Sequence, residues 1–169
     1  LHKAIRRQRQ MCIRDRDRSS KNAVEGECMN VVLEKYHGLG NDYLVFDPNK
    51  NEMELNEENV RLLCDRNYGI GAEGILEGPV FETEQMGVRI WNPDGSKAEM
   101  SGNGERIFAK YLKDAGYVQK RNFHFQTPGG EIEVFYLNED GSRIRLSVGK
   151  ASFWLSLIHI SEPTRPLYI

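Results

Sequence analysis

Apolar and β-branched residues cluster first in two short runs, Val31-Val32-Leu33-Glu34-Lys35-Tyr36 and Tyr43-Leu44-Val45-Phe46. Between them lies His37-Gly38-Leu39-Gly40-Asn41-Asp42, whose glycines and Asn-Asp pair are turn chemistry, so the pattern predicts two strands joined by a loop. Asn56 predicts the cap of a helix over Glu57 to Arg66, with acids in its first turn and Val60, Leu63 and Cys64 on one face. Gly69 and Gly71 end it. Gly87-Val88-Arg89-Ile90-Trp91 predicts a further strand, stopped by the turn Asn92-Pro93-Asp94-Gly95. From Gly104 to Ala115, Ile107, Phe108, Tyr111 and Leu112 make one apolar helical stripe, and Gly116 supplies the stop. Phe123 to Thr127, Glu131 to Leu137 and Ile144 to Val148 then read as strands around Pro128-Gly129-Gly130 and Asp140-Gly141. Strands outnumber helices and turns are of hairpin length, which argues for an α+β domain with a mixed or largely antiparallel sheet. Asp47 to Asn56 reads as an exposed connection rather than a linker, and no internal repeat appears.

Composition changes this picture little. With 169 residues, 39% hydrophobic and 28% charged, the chain suits one globular domain able to bury a core. No apolar run approaches the roughly 20 residues that span a bilayer, and the basic N-terminus lacks the apolar core of a signal peptide, so a cytoplasmic address and no membrane partner are expected. The formal charge of −2 is uneven: residues 1–16 hold six Lys or Arg against one Asp, a local +5. Cys12 and Cys28 precede the first globular-looking run and only Cys64 lies within it, which offers no disulfide framework or cysteine-rich metal site.

The two ends do not follow a protein-like pattern. Arg6 to Asp15 and Leu155 to Arg165 can each be back-translated into a part of a transposase-based sequencing-library adapter, the second in reverse complement. Val24-Glu25-Gly26-Glu27-Cys28 can be encoded by a purine-rich ribosome-binding sequence, which makes Met29 a start. The expectation is therefore that residues 1–28 are non-native adapter and upstream translation, 29–154 the folded domain, and 155–169 an adapter-derived tail, with no packed role for residues 1–16 or 155–169. On that reading the basic arm is no nucleic-acid grip, and His2, Cys28 and His159 leave any catalytic argument.

Three glycine-rich turns compete for chemistry. Gly69-Ile70-Gly71-Ala72-Glu73-Gly74 fits G-x-G-x-x-G, but a dinucleotide fingerprint follows a strand and opens a helix, whereas here a helix precedes and the β-like Ile75-Leu76 follows. Nucleotide binding is not expected. Ser101-Gly102-Asn103-Gly104 is more specific. Ser101 alone reads as an N-cap. Read functionally, Gly102, Asn103 and Gly104 leave backbone N–H groups open at a helix N-terminus, a ready site for a carboxylate that also stabilises charge on a nearby α-carbon.

His37-Gly38-Leu39-Gly40-Asn41-Asp42-Tyr43, Asp65-Arg66-Asn67-Tyr68-Gly69-Ile70-Gly71-Ala72-Glu73-Gly74 and Arg89-Ile90-Trp91-Asn92-Pro93-Asp94-Gly95-Ser96 through Arg106-Ile107-Phe108-Ala109 resemble, in order and spacing, successive signature blocks of the diaminopimelate epimerase family. The resemblance covers Met29 to Phe153, about the first half of a family member. It implies a pseudo-symmetric, two-domain isomerase working without a cofactor. In each half a mixed sheet wraps a central helix, here the one beginning at Gly104, and the substrate lies between halves. It also implies roles for residues: Asn41 and Asn92 match substrate-binding positions, and Gly102 and Asn103 those that hold substrate through backbone N–H groups. His37 is expected to hold its turn by hydrogen bonds rather than to act as a base. The implied partners are an amino-acid substrate, the C-terminal domain of the same enzyme and, at full length, a second copy in a homodimer.

One departure bears on mechanism. Where the family has its first catalytic cysteine this chain has Ser101, and a serine hydroxyl is far less acidic than a thiol that begins near pKa 8.5. Cys64 lies on the apolar helix face and is expected to be core, so it does not replace the missing thiol. Three readings stay open: a subfamily in which Ser101, activated from the missing half, still passes protons to and from diaminopimelate; a related racemase of another amino acid; and a paralogue that binds without epimerising. The chain as it stands is expected to be inactive, since one half supplies one face of the site.

Overall fold

The computed structural model describes residues 7–13, 29–81 and 85–147. Nine strands and two helices follow in the order β1 (Arg7–Ile13), β2 (Met29–Gly38), β3 (Asn41–Phe46), α1 (Glu57–Cys64), β4 (Ile75–Val80), β5 (Gly87–Trp91), β6 (Lys97–Ala98), α2 (Gly102–Asp114), β7 (Asn122–Thr127), β8 (Gly130–Tyr136) and β9 (Ile144–Ser147). They form one mixed sheet in the order β1-β2-β3-β4-β5-β7-β8-β9, with β6 beside β5. The pairs β3·β4 and β5·β7 are parallel, each bridged by a helix, and the rest are antiparallel.

Strand alternation sorts side chains to two faces, and each face finds its own helix. Tyr43 and Val45 of β3, Leu76 of β4, and Val88 and Ile90 of β5 point to α2, joined by Phe125, Ile132, Val134 and Tyr136 from β7 and β8. Leu44, Phe46, Ile75 and Trp91 point the other way, where Val60, Leu63 and Cys64 of α1 cover them. The sheet curls far enough for β2, β3, β4 and β9 all to touch α2. This is the α+β architecture that the pattern of positions predicts.

The helices begin and end for local reasons. Asn56 Oδ1 accepts from Asn59 N at 2.9 Å, Glu57 and Glu58 occupy the first turn, and Gly116, at φ +81°, follows the C-terminal residue of α2. Helix α2 starts two residues before the predicted Gly104, because Ser101 caps it. The β2–β3 connection is a two-residue hairpin turn rather than a six-residue loop: Gly38 pairs with Asn41, and Leu39 takes a positive φ of 55° before Gly40 at 93°. The expected exposed connection after β3 is tied down at its start. Asp47 is buried, accepting from Tyr111 and, at 2.8 Å, from Tyr117, while Asn51 bonds the backbone of Val32. Burial first, and Asp47 next, push the Tyr111 phenol up.

The expectation that residues 1–16 have no packed role is corrected in part. Arg7–Ile13 pairs antiparallel along the outer side of β2, from Arg7 opposite Lys35 to Ile13 opposite Met29. The physical reason is that an unpaired strand edge offers a row of backbone donors and acceptors to any extended segment, whatever its side chains. Residues 1–6, 14–28 and 155–169 lie outside the described residues.

One charged cluster holds the hairpin against the loop after α1. Asp42 accepts from both Arg66 terminal nitrogens, at 3.1 and 2.7 Å, and pairs with Lys35 at 2.9 Å; Lys35 also reaches the Gly71 carbonyl. Burial opposes ionisation of Asp42, but the Arg66 and Lys35 hydrogen bonds outweigh it and hold the carboxyl at about 2. A depressed carboxyl stabilises the fold above its ordinary pKa, and this contribution is lost as pH falls through about 2. Asp42→Asn is therefore expected to lower stability by about 1–2 kcal/mol at neutral pH, discounted because Arg66 is solvent-exposed. Urea titrations should show the gap between the two proteins closing below pH 4. Phe108 gives a larger effect: fully buried, it stacks on Tyr111 and meets Phe125 edge-on. Phe108→Ala should cost about 3–5 kcal/mol, read as a lowered urea midpoint.

Candidate active site

Three strand ends and one helix end meet at a single edge of the sheet. Leu44 of β3 is level with Ile75 of β4, which is level with Trp91 of β5, so the start of β3, the start of β4 and the end of β5 share one rim. Asn41 sits at the first of these and Asn92 just past the last. The N-terminus of α2 joins them through Ser101, whose Oγ lies 2.9 Å from Tyr43 Oη.

Ser101 is the N-cap of α2, with extended backbone, and its Oγ accepts from Gly104 N at 3.1 Å. Glu105 answers from the next turn: its Oε1 accepts from Ser101 N at 3.3 Å, a reciprocal arrangement like a capping box one residue longer. The first intrahelical bond runs from Glu105 N to Ser101 O. The N–H groups of Gly102 and Asn103 precede it and, among the described residues, find no acceptor. Gly102 is exposed, Ser101 and Asn103 half-buried, so a ligand can approach these donors.

Glu105 itself is completely buried, and its Oε2 has no hydrogen-bond partner among the described residues. Burial pushes this carboxyl up, against the pull of the Ser101 N–H and of Arg106. Tyr43 is held by packing. A Cβ on Gly74 would lie 2.8 Å from the Tyr43 ring and 2.5 Å from the Trp91 carbonyl, so only glycine lets the three approach. Gly69 is a similar case, its missing Cβ falling 1.9 Å from the Leu62 carbonyl. The glycines of Gly69 to Gly74 thus serve close packing around the end of α1 and the start of β4.

The other residues singled out by sequence divide. Asn92 spends its amide N–H on Ser96 Oγ at 2.9 Å, bracing the turn that Asp94 also caps, while Asn41 is half-buried opposite Gly38. His37 lies in strand β2 rather than in a loop, opposite Asp42. With Leu39, Asn103, Arg106 and Arg143 it lines a cavity of about 270 Å³ beside α2. The hairpin it was expected to hold is braced instead by Asp42, Arg66 and Lys35. Cys64 is buried in the α1 core, where desolvation pushes its thiol up to about 11. Sequence reasoning assigned no role to Tyr43 or Glu105. Strand alternation places Tyr43 on the α2 face, and the four-residue step from Ser101 to Glu105 is a capping spacing, so both signals were present in the chain.

Comparison with known proteins fits this geometry. The family model for diaminopimelate epimerase matches residues 33–154. Diaminopimelate epimerase 2 of Nostoc sp. is 48% identical over 121 residues, covering 71% of this chain and 42% of that protein. The diaminopimelate epimerase of Caldanaerobacter subterraneus is 39% identical over 130 residues, 76% of this chain and 47% of the relative. That of Methanothermobacter thermautotrophicus is 38% identical over 129 residues, 73% and 45%. The chain spans less than half the length of these curated relatives. With the matched blocks running from the β2–β3 hairpin through the capped N-terminus of α2 and beyond, the chain belongs to the diaminopimelate epimerase family.

Proposed function

We propose that this chain supplies one face of a cofactor-independent epimerase site that interconverts LL- and meso-diaminopimelate, a step of lysine and peptidoglycan-precursor synthesis in the cytoplasm. One observation carries the reading. The Ser101 hydroxyl and the open N–H groups of Gly102 and Asn103 share the N-terminus of α2, at the rim that also holds Asn41 and Asn92. A substrate carboxylate received by those N–H groups brings its α-carbon beside residue 101. The same donors and the positive end of the helix stabilise the carbanion-like charge formed when the α-proton leaves. Asn41 and Asn92 orient the rest of the substrate.

Inverting a stereocentre requires one group to remove the proton and another to deliver a proton on the opposite side. In this reading the remaining length of the relatives forms the opposite face, closes the cleft against water, and completes an enzyme that pairs as a homodimer. No nucleic acid, membrane or cofactor takes part. In this reading residues 29–154 are the N-terminal domain of the epimerase, 1–28 are non-native adapter and upstream translation, and 155–169 are an adapter-derived tail. Among the described residues no helix is long and apolar enough to cross a membrane.

A second reading, an amino-acid-binding paralogue, draws on a specific observation: Ser101 Oγ is already engaged by Gly104 and Tyr43, as a purely structural cap would be. A racemase acting on a different amino acid shares every feature of the first reading and differs in the far end of the substrate.

Solvent-deuterium incorporation at the α-carbon, followed by proton NMR, separates these. The 169-residue chain should leave diaminopimelate unexchanged, and a protein extended through the second half should exchange it; exchange by the chain alone would sink the two-face mechanism. Ser101→Cys in the extended protein should keep or raise the rate, because a thiolate is favoured at a helix N-terminus. Ser101→Ala should lower it by about 100-fold or more, the scale of losing an acid/base group. If no amino acid exchanges with either the native or the Ser101→Cys form, the binding paralogue is the better description.

A further inference from the structure

The geometry points to Tyr43 as a second proton-transfer residue, acting through Ser101 as a two-hydroxyl relay at the N-terminus of α2. This inference rests on the epimerase reading above and adds to it a residue and a route.

Ser101 by itself is a poor substitute for a thiol. Its Oγ has two lone pairs and one proton; one lone pair takes the Gly104 N–H, and the other group within reach is Tyr43 Oη at 2.9 Å. With Tyr43 donating, both Ser101 lone pairs are filled and its own O–H is directed elsewhere, toward a bound substrate. With Ser101 donating, its second lone pair is open to receive a proton. The pair therefore has two hydrogen-bonding states, and when Ser101 gives up its outer proton while the Tyr43 proton moves onto Ser101, the first becomes the second with Tyr43 left as phenolate.

The step balances as follows. When the α-carbanion is reprotonated, the Ser101 O–H bond breaks and a C–H bond forms, while the Tyr43 O–H bond breaks and a new O–H forms on Ser101. The negative charge leaves carbon and rests on the phenolate oxygen of Tyr43. Proton abstraction is the reverse, from phenolate through Ser101 to the α-proton. A phenolic hydroxyl is a far stronger acid than an alkyl hydroxyl, so a relay that leaves the charge on Tyr43 avoids a free alkoxide on Ser101.

Two further features suit the relay. The Tyr43 ring is buried in the α2 core and fixed by the close approach at Gly74, so its hydroxyl is held in place. Glu105, fully buried, grips the Ser101 backbone N–H with Oε1 and keeps residue 101 oriented. Its Oε2, in the same carboxylate against the cap, is an acceptor with no donor among the described residues.

Two measurements test the relay. In the 169-residue chain carrying Ser101→Cys, iodoacetamide labelling of the introduced thiol is followed by peptide-resolved mass spectrometry. Adding Tyr43→Phe, which keeps the ring, should slow labelling at pH 7 about tenfold, since a thiolate that loses a hydrogen-bond donor becomes harder to form. An unchanged rate, with an unchanged urea midpoint, overturns the contact on which the relay depends. In the protein extended through the second half, Tyr43→Phe should reduce kcat for deuterium exchange about 100-fold with KM within about twofold. The Ser101→Cys, Tyr43→Phe double variant should lose only about tenfold relative to Ser101→Cys, because the second hydroxyl helps a thiolate to form but does not carry its proton. The rise of kcat with pH should also lie lower in Ser101→Cys than in the native form. Exchange that is indifferent to Tyr43→Phe overturns the relay and leaves the epimerase reading standing, and equal losses in both backgrounds reduce Tyr43 to packing. Absence of exchange in every form, with any amino acid, removes the epimerase reading and the proton-passing role together.

Discussion

The candidate site depends on the burial of one helix. Ile107, Phe108, Ala109, Tyr111 and Leu112 of α2 are each at most 2% exposed, in a sheet that curls so that strands from both ends of its order reach the same helix. Each large apolar side chain enclosed this way contributes about 1.5–3 kcal/mol, and the interlock of Phe108 with Phe125 and Tyr111 leaves the helix little freedom to slide or turn. At its far end Tyr111 and Tyr117 anchor it to buried Asp47. The N-terminal end is thereby fixed at the other extremity of a helix about 20 Å long.

That fixed end is where structural and chemical demands coincide. A helix N-terminus must satisfy its first N–H groups; Ser101 and Glu105 satisfy part of the requirement and leave Gly102 and Asn103 unsatisfied. Several side chains elsewhere are spent on building the rim. Asp42 ties the β2–β3 hairpin to Arg66 and Lys35, Asn92 braces its own turn, and Gly74 disappears so that Tyr43 and Trp91 can approach. The charged and polar residues of the signature blocks thus hold the backbone in shape so that a few groups at the helix end are presented in the open.

The hydroxyl at residue 101 gains its meaning from this surrounding. A cysteine at a helix N-terminus is made acidic by the helix itself, whereas a serine there is simply a good cap. What distinguishes Ser101 from an ordinary cap is its neighbours: a phenolic hydroxyl at hydrogen-bond distance from Oγ and a buried carboxyl with one idle oxygen against its backbone. Those neighbours come from a strand and from the following turn of the helix, and neither is adjacent to Ser101 in the chain.

Local order was legible in the sequence because it is set by near neighbours. The apolar stripe Ile107–Leu112, the Asn56 cap, the Gly116 stop, the alternation in Gly87–Trp91 and the core position of Cys64 all follow from spacings of a few residues. So did Ser101 as cap. Three features were decided only by tertiary structure. His37 was read as the brace of its turn, but the brace is Asp42 with Arg66, a residue 24 positions away. Asp47 was read as part of an exposed connection, but Tyr111 of a helix still to come and Tyr117 just beyond that helix bond it. Tyr43 carried no sign of a partner, because its hydroxyl meets Ser101 only when the sheet curls around α2 and brings together residues 58 apart. Periodicity tells each side chain which face it is on; what waits on that face depends on how the sheet closes, which no local pattern encodes.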